Sequence, residues 1–264
     1  LDAFMTSHPL ESLFAPRSIA VVGASARPGS VGQVLFRNLR AGGFEGELHP
    51  INDKHAEVQG VTSRAHVRDV GHALDLALVA IPAQGVPGVL RECGEAGVKN
   101  AVVLSAGFAE RGEEGARLQA EALAIARSHG MRLLGPNCLG VVRPSAHLHA
   151  IFGGTLARPG RLALVSQSGA VCTAIMDWAE ARDIGFSAVV SIGAAADVGV
   201  GDVLDYLALD PQTDAILLYL EGVDHARRFM SGLRVAARMK PVIALKAGRQ
   251  PAGRRAAASH TGAL

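Results

Sequence analysis

The sequence predicts an α/β protein built on two doubly wound parallel sheets. Short apolar runs of strand length alternate with amphipathic helical stretches along nearly the whole chain. The segments that leave those runs are rich in Gly, Ser, Asn and Pro. The composition, 49% hydrophobic with 31 Gly and only 4% aromatic residues, suits close packing of helices on sheets rather than disorder. At 264 residues the chain can form two α/β domains with proper cores.

Residues 1–16 read as a leader whose Leu10, Leu13 and Phe14 can dock on a sheet. SIAVV at 18–22 is the first strand, and the turn from Gly23 to Gly32 opens a helix carrying Val34, Leu35 and Leu39. Further strands are expected near 47–51, 74–81, 101–104 and 132–134, with helices over 89–96 and 113–129. Residues 143–160 show no clear period, contain Pro144, Pro159 and several Gly, and read as a linker. The second half repeats the pattern. Strands are expected near 162–165, 186–191, 215–220 and 242–245, and helices near 169–181, 203–209 and 226–238, the last with Asp224 as a candidate cap. The expected division is 1–145 and 146–264. The chain stops directly after SHTGAL with no closing helix, which predicts a longer native polypeptide.

A net charge of +2 carries no nucleic-acid footprint and no case for a membrane surface. Cys93, Cys138 and Cys172 are far apart and form no CxxC pair, so neither a zinc site on cysteines nor a disulfide framework is expected. With no apolar run of spanning length and no signal pattern at the start, the reading is a cytoplasmic protein.

In an open parallel sheet, ligands sit at the carboxyl ends of the strands. The first such turn is a candidate phosphate loop. Gly23 permits a tight turn, Gly29 and Gly32 allow close backbone approach, and Ser25 and Ser30 can donate. The turn lacks a clean G-x-G-x-x-G, which argues against a nicotinamide-cofactor dehydrogenase. The second strand ends in Asn52-Asp53-Lys54, where Asp53 could hold a ribose, while Lys54 better suits a ribose bearing an extra phosphate. The segments at Pro82 and Phe108 would line the same crevice; in the Gly135-Pro136-Asn137-Cys138 turn, Asn137 can fix the turn or contact a ligand and Cys138 would sit near the domain junction.

A second candidate lies at Ser166-Gln167-Ser168-Gly169-Ala170, where an apolar strand turns directly into a helix. Free N–H groups and the positive end of the helix dipole meet there, which suits a phosphate; plain N-capping by Ser166 or Ser168 would produce the same local sequence. Near the end of the chain, His260 follows a strand in a small-residue loop with Lys246, Arg249, Arg254 and Arg255 nearby. That setting suits an imidazole that carries a phosphoryl group, and Glu221, at a strand end, could accept from its other ring nitrogen.

These blocks, SIAVVGAS with GSVG, GPNCLG, VSQSGA, ADVGVGDVLDYL, ILLYLEGV and KAGR with ASHTGAL, resemble the NDP-forming acyl-CoA synthetases in both content and order. That family is related to the alpha subunit of succinyl-CoA synthetase. The resemblance implies two Rossmann-like domains with parallel sheets, a CoA-binding domain followed by a flavodoxin-like ligase domain. It implies a relay in which an acyl phosphate forms and a phosphoryl group passes through a histidine to ADP or GDP. By motif match His260 would be the phosphohistidine, Glu221 its orienting group and Ser166–Ala170 the phosphate cradle. Gly23, Ser25, Gly29, Ser30, Gly32 and Lys54 would serve the phosphates of coenzyme A, with Pro82, Phe108 and Asn137 further along its track. The resemblance also implies a small carboxylic acid substrate, an oligomer, and Mg-ATP or Mg-ADP on an ATP-grasp domain in cis or in trans. No ATP-grasp pattern is seen in this stretch.

Several blocks, notably HARRFMSGLRVAARMKPVIALKAGR, look most like bacterial members fused to a GNAT-type acetyltransferase. Ala194 and Ala195 stand where family members often carry polar residues. An acyl-CoA-sensing module of a protein lysine acetyltransferase is therefore the alternative reading.

Overall fold

The computed structural model describes residues 8–223 and 225–248. Its elements in order are α1 (Glu11–Phe14), β1 (Ser18–Val22), α2 (Val31–Ala41), β2 (Glu47–Ile51), β3 (Glu57–Val58), β4 (Val61–Thr62), β5 (Leu76–Val79), α3 (Val86–Glu95), β6 (Asn100–Val103), α4 (Glu113–Ser128) and β7 (Arg132–Leu134). Then follow β8 (Gly140–Arg143), β9 (Leu148–Ile151), β10 (Pro159–Ser166), α5 (Gly169–Glu180), β11 (Phe186–Ser191), α6 (Val200–Leu209), β12 (Ala215–Leu220), α7 (Ala226–Met239) and β13 (Val242–Lys246).

The first sheet has the order β2-β1-β5-β6-β7 with every pair parallel. β1 and β5 are uniformly buried apolar runs, as a strand covered on both faces must be. The chain winds from β1 outward to β2, then back across to β5. The topological switch point therefore lies between β1 and β5, at the ends carrying Gly23 and Ile81. Ser30 caps α2 by accepting from the Gln33 amide, which begins that helix directly after the Gly turn.

The second sheet has the order β13-β12-β10-β11-β8-β9. β10 to β13 pair in parallel around β10, so the switch point of this sheet is the carboxyl end of β10, where α5 begins. One edge is not parallel. β8 runs antiparallel to β11, and β9 antiparallel to β8. The stretch expected as a linker thus contains strand β9 and the first residues of β10. The strands were hidden because β8 and β9 are each only four residues long, too short to show an alternation, and are joined by a Pro144 turn. The Asp224 cap lies outside the described residues.

The two sheets share one core. Leu35, Phe36, Leu76 and Leu78 from the first half and Val165, Val190, Val203 and Leu207 from the second belong to a single buried cluster, joined by Leu10, Leu13 and Phe14 of the leader. Phe14 stacks on Tyr206 of α6 with ring centroids 4.2 Å apart. Asn38 on α2 donates to the carbonyls of Ile151 (2.9 Å) and Gly153 (2.7 Å), which ties the first half to β9. Arg143 and Asp210 form a buried two-pronged pair at 2.7 Å on each arm.

Candidate functional site

Two concave regions lie at the carboxyl ends of strands. The first, about 350 Å³, opens where β1, β2 and β5 end, and Gly23, Asn52, Asp53, His66 and Ile81 are among its walls. The Gly turn is as tight as the residue types suggest. Gly23 has φ +86, and a Cβ there would meet the Ala80 carbonyl oxygen at 2.4 Å. A Cβ on Gly32 would sit 1.8 Å from the Gly23 oxygen, so helix α2 can approach the turn only without a side chain at that position. Asn52 pins the turn to the end of β2 by donating to the Ala24 carbonyl at 2.8 Å.

The two hydroxyls of the turn are already engaged. Ser25 Oγ accepts from the Arg27 amide, and Ser30 Oγ donates to the Arg27 carbonyl. Lys54 is exposed at the rim, its amide donating to Asn52 Oδ1, and Gly29 at φ +74 is exposed on the outer bend. Pro82 is exposed beside this crevice, just before the turn into α3. Phe108 is not on its surface: the ring is fully buried in the core between α3, α4 and the sheet.

The second crevice, about 290 Å³, gathers residues from both halves: Asn137, Cys138 and Leu139 from the turn after β7, Gln167, Gly169 and Ala170 from the start of α5, and Gly193 and Ala194 after β11. Asn137 therefore belongs with the α5 site rather than with the Gly23 turn. Its backbone is at φ +55 and its amide donates to the Ser105 carbonyl at 2.9 Å. Gly193 at φ +60 lies so close to Pro136 that a Cβ would meet its carbonyl oxygen at 2.3 Å, and the Ala194 and Ala196 amides donate to the carbonyls of Pro136 and Gly135. The wall between the two halves is thus built from backbone.

Within the α5 turn the side chains organise the backbone. Ser166 Oγ donates to the Ser168 carbonyl and accepts from its amide, and Ser168 Oγ caps α5 by accepting from the Val171 amide. Both serines are buried; Ser168 is the cap of α5, while the Ser166 hydroxyl holds the backbone of Ser168. The first N–H groups of the helix, those of Gly169 and Ala170, have no partner within the helix and mark its positive end. Among the described residues no Lys or Arg lines this crevice, so its attraction for an anion rests on amides and the helix dipole.

Gln167 does something the sequence did not reveal. Its Oε1 accepts from the amides of Glu221 (2.6 Å) and Gly222 (3.0 Å), at the end of the neighbouring strand β12. Lys246 Nζ donates to the Glu221 carbonyl at 2.8 Å. Glu221 is thereby held from both sides next to the α5 start. His260 lies outside the described residues.

Glu110, Phe152 and Thr173 also line the crevice and were not singled out from sequence. Glu110 Oε1 accepts from the amides of Gly107 (2.5 Å) and Phe108 (3.2 Å), a carboxylate closing a Gly turn three residues back. Thr173, one helical turn past Gly169, could have been found from its i+4 spacing. Phe152 carries no sequence signal, because β9 itself was not anticipated. Cys138 lies at the junction, with its thiol pushed up to about 12 by burial, so it stays a protonated core residue.

The fold is that of a two-domain α/β protein with a crevice at the carboxyl ends of the strands in each sheet. Comparison with known proteins makes the class specific. A family described as "CoA binding domain" matches residues 17–144, and one described as "Succinyl-CoA ligase like flavodoxin domain" matches residues 159–264. The alpha subunit of the ADP-forming acetate–CoA ligase I of Pyrococcus furiosus is 46% identical over 259 residues, 97% of this chain and 56% of that protein. The ADP-forming 4-hydroxybutyrate–CoA ligase of Nitrosopumilus maritimus is 41% identical over 264 residues, 98% of this chain and 37% of its own length.

Among solved structures, the dinucleotide-forming acetyl-coenzyme A synthetase 1 of Ca. Korarchaeum cryptofilum in complex with phosphate and ADP matches with a TM-score of 0.92 and 43% identity, over 97% of this chain and 55% of that one. The chain belongs to the NDP-forming acyl-CoA synthetase family, with a CoA-binding domain followed by a succinyl-CoA-ligase-like flavodoxin domain. It spans about half the length, or less, of the curated relatives it matches. These relatives are ligases and give no support to the acyl-CoA-sensing alternative.

Proposed function

We propose that this chain is the CoA-binding and phosphohistidine portion of an NDP-forming acid–CoA ligase. It interconverts acyl-CoA, phosphate and NDP with the free acid, CoA and NTP. The observation that carries the reading is the meeting of the α5 start, the Gly193-Ala194 turn after β11 and the Asn137 turn in one crevice between the two halves, with Gln167 in its wall reaching to the end of β12. An anion there is solvated by oriented amides instead of water, and Gln167 links the crevice wall to the backbone of Glu221.

In the direction of NTP formation, phosphate adds to the thioester carbonyl and the CoA thiolate leaves, giving an acyl phosphate. A ring nitrogen of His260 then takes the phosphoryl group as the carboxylate departs. The Glu221 carboxylate accepts from the other ring nitrogen and stabilises the imidazolium that forms. The phosphoryl group passes on to NDP. Gly169 and Ala170 amides hold the phosphate through these steps, while Gln167 acts by positioning Glu221.

Coenzyme A fits the first crevice, because the Gly23–Gly32 contact leaves backbone, not side chain, facing the ligand. Ser25 and Lys54 would meet its phosphates, Ser30 would hold the turn through its bonds to Arg27 and Gln33, Pro82 would flank the ligand, and Asn137 would meet its distal end. Phe108 would contribute only through backbone. Mg-ATP or Mg-ADP would be held on an ATP-grasp domain, in cis or on a partner subunit as the "subunit alpha" of the Pyrococcus relative suggests. The substrate would be a small carboxylic acid, the assembly an oligomer, the compartment the cytoplasm, and the division into 1–145 and 146–264 the functional one.

The test is phosphorylation. The chain together with its ATP-grasp portion is given Mg-ATP and examined for an acid-labile phosphate. Labelling that disappears in His260→Ala, with CoA binding retained, is the expected result. No label on protein that binds both CoA and nucleotide would refute the relay.

A further inference from the structure

At the far end of the first sheet from both crevices, Glu47, His49 and His72 bring three ligand atoms within 4.8 Å of one another. Glu47 and His49 stand two apart on β2, hence on one face, and β2 is the edge strand of its sheet, bridged on its outer side by Arg64 at the Ile51 end. His72 comes from the loop before β5. Glu47 Oε2 lies 3.1 Å from His49 Nε2 and 2.9 Å from His72 Nε2. Ligands bound tetrahedrally at about 2.0–2.1 Å from one ion stand roughly 3.3 Å apart, so both Glu47–histidine separations are within a few tenths of an ångström of what one ion needs, and the two imidazoles lie within 4.8 Å of each other.

The ring hydrogen bonds support a cation. His72 Nδ1 lies 3.1 Å from the Ala73 carbonyl and donates to it, which turns the Nε2 lone pair toward Glu47. A backbone carbonyl on the second nitrogen is the usual partner of a metal-binding histidine. With Nδ1 protonated, a carboxylate oxygen and an imidazole lone pair would face each other at 2.9 Å unless a proton or a cation lies between them.

We propose that Glu47, His49 and His72 form a zinc site, open to water at the fourth position, which clasps the edge strand β2 to the loop before β5. Two imidazoles and one carboxylate suit Zn²⁺ over Mg²⁺ or Ca²⁺, which prefer oxygen. Arg64 is the internal competitor: its NH1 donates to His49 Nδ1 at 3.1 Å, which keeps the His49 proton on Nε2 in the metal-free state. Zn²⁺ entry shifts that proton to Nδ1, turns Arg64 outward and releases any proton shared by His72 and Glu47.

The test is titration of the whole chain with Zn²⁺ followed by Tm, and with Co²⁺ followed by its visible absorption. One ion per chain, a Tm that climbs with Zn²⁺, and a tetrahedral Co²⁺ spectrum are expected. His72→Gln and His49→Gln should each weaken binding by at least about tenfold. Arg64→Ala should tighten it, and His55→Gln, an exposed histidine outside the cluster, should leave it unchanged. No saturable binding, or binding that survives the His49→Gln/His72→Gln double variant, overturns the proposal. The outcome is independent of the ligase reading.

Discussion

The Gln167 side chain reaches from the start of α5 to the end of β12, and its Oε1 accepts the Glu221 amide at 2.6 Å. The two residues are 54 positions apart, and Gln167 is only 8% exposed, so water cannot replace the bond. Gln167→Ala would leave two amides short of an acceptor. The expected loss is about 1–3 kcal/mol of stability, measured by urea unfolding. Phosphorylation of the chain should slow more than CoA binding weakens. Equal losses of both would mean that the residue supports the fold alone.

The Arg143–Asp210 pair joins β8 to the end of α6, with side-chain exposures of 8% and 2%. Burial pushes the Asp210 carboxyl up, but hydrogen bonds from Arg143 and Thr213 outweigh it and hold the group below its ordinary value. The stability this contributes is complete above the unfolded carboxyl value, near about pH 4, and is lost as pH falls through the lower folded value. Asp210→Asn should therefore flatten part of the acid limb of a stability–pH profile. Asp210→Ala strands a buried guanidinium and should cost about 3–5 kcal/mol, read from denaturant midpoints at neutral pH.

Gly32→Ala places a methyl 1.8 Å from the Gly23 carbonyl oxygen, a backbone atom that cannot swing aside. Gly23→Ala adds the strain of φ +86, about 1–3 kcal/mol by itself. Both variants should lose the rise of Tm that CoA produces in the parent. Gly29→Ala is the contrast: its φ is +74, but nothing lies within 4 Å of the added methyl, so it should keep more of the CoA response. A Gly32→Ala protein with an undiminished CoA response would remove the first turn from the binding site.

Cys93, Cys138 and Cys172 are all buried, and burial pushes each thiol up to about 12. In the folded chain all three should resist a thiol reagent at neutral pH, and all three should react once the chain is unfolded in denaturant. Rapid reaction of Cys138 in the native state would show that the junction between the halves opens.

The elements that sequence reasoning read well are those with a local physical cause. β1, β11 and β12 are dense in β-branched or large apolar residues, and the start of α5 is announced by Ser168. The leader's Leu10, Leu13 and Phe14 were legible because apolar residues on so short a helix must be covered. The short strands β3, β4, β8 and β9 were not legible. Two to four residues hold too little pattern, and β8 and β9 owe their strand character to pairing with β11 and with each other.

The sequence by itself determined the alternation of strands and helices, the Gly-forced first turn, the capped start of α5 and the family. Each of these rests on conformational preferences within about one helical turn or one loop. Only the tertiary structure decided that Asn137 joins the α5 crevice, that Phe108 is core, that Gln167 serves Glu221, and that Glu47 and His49 meet His72. Those pairings depend on which strand ends lie side by side, and strand order is set by burying the apolar faces of whole sheets, a property that no short stretch of the chain contains.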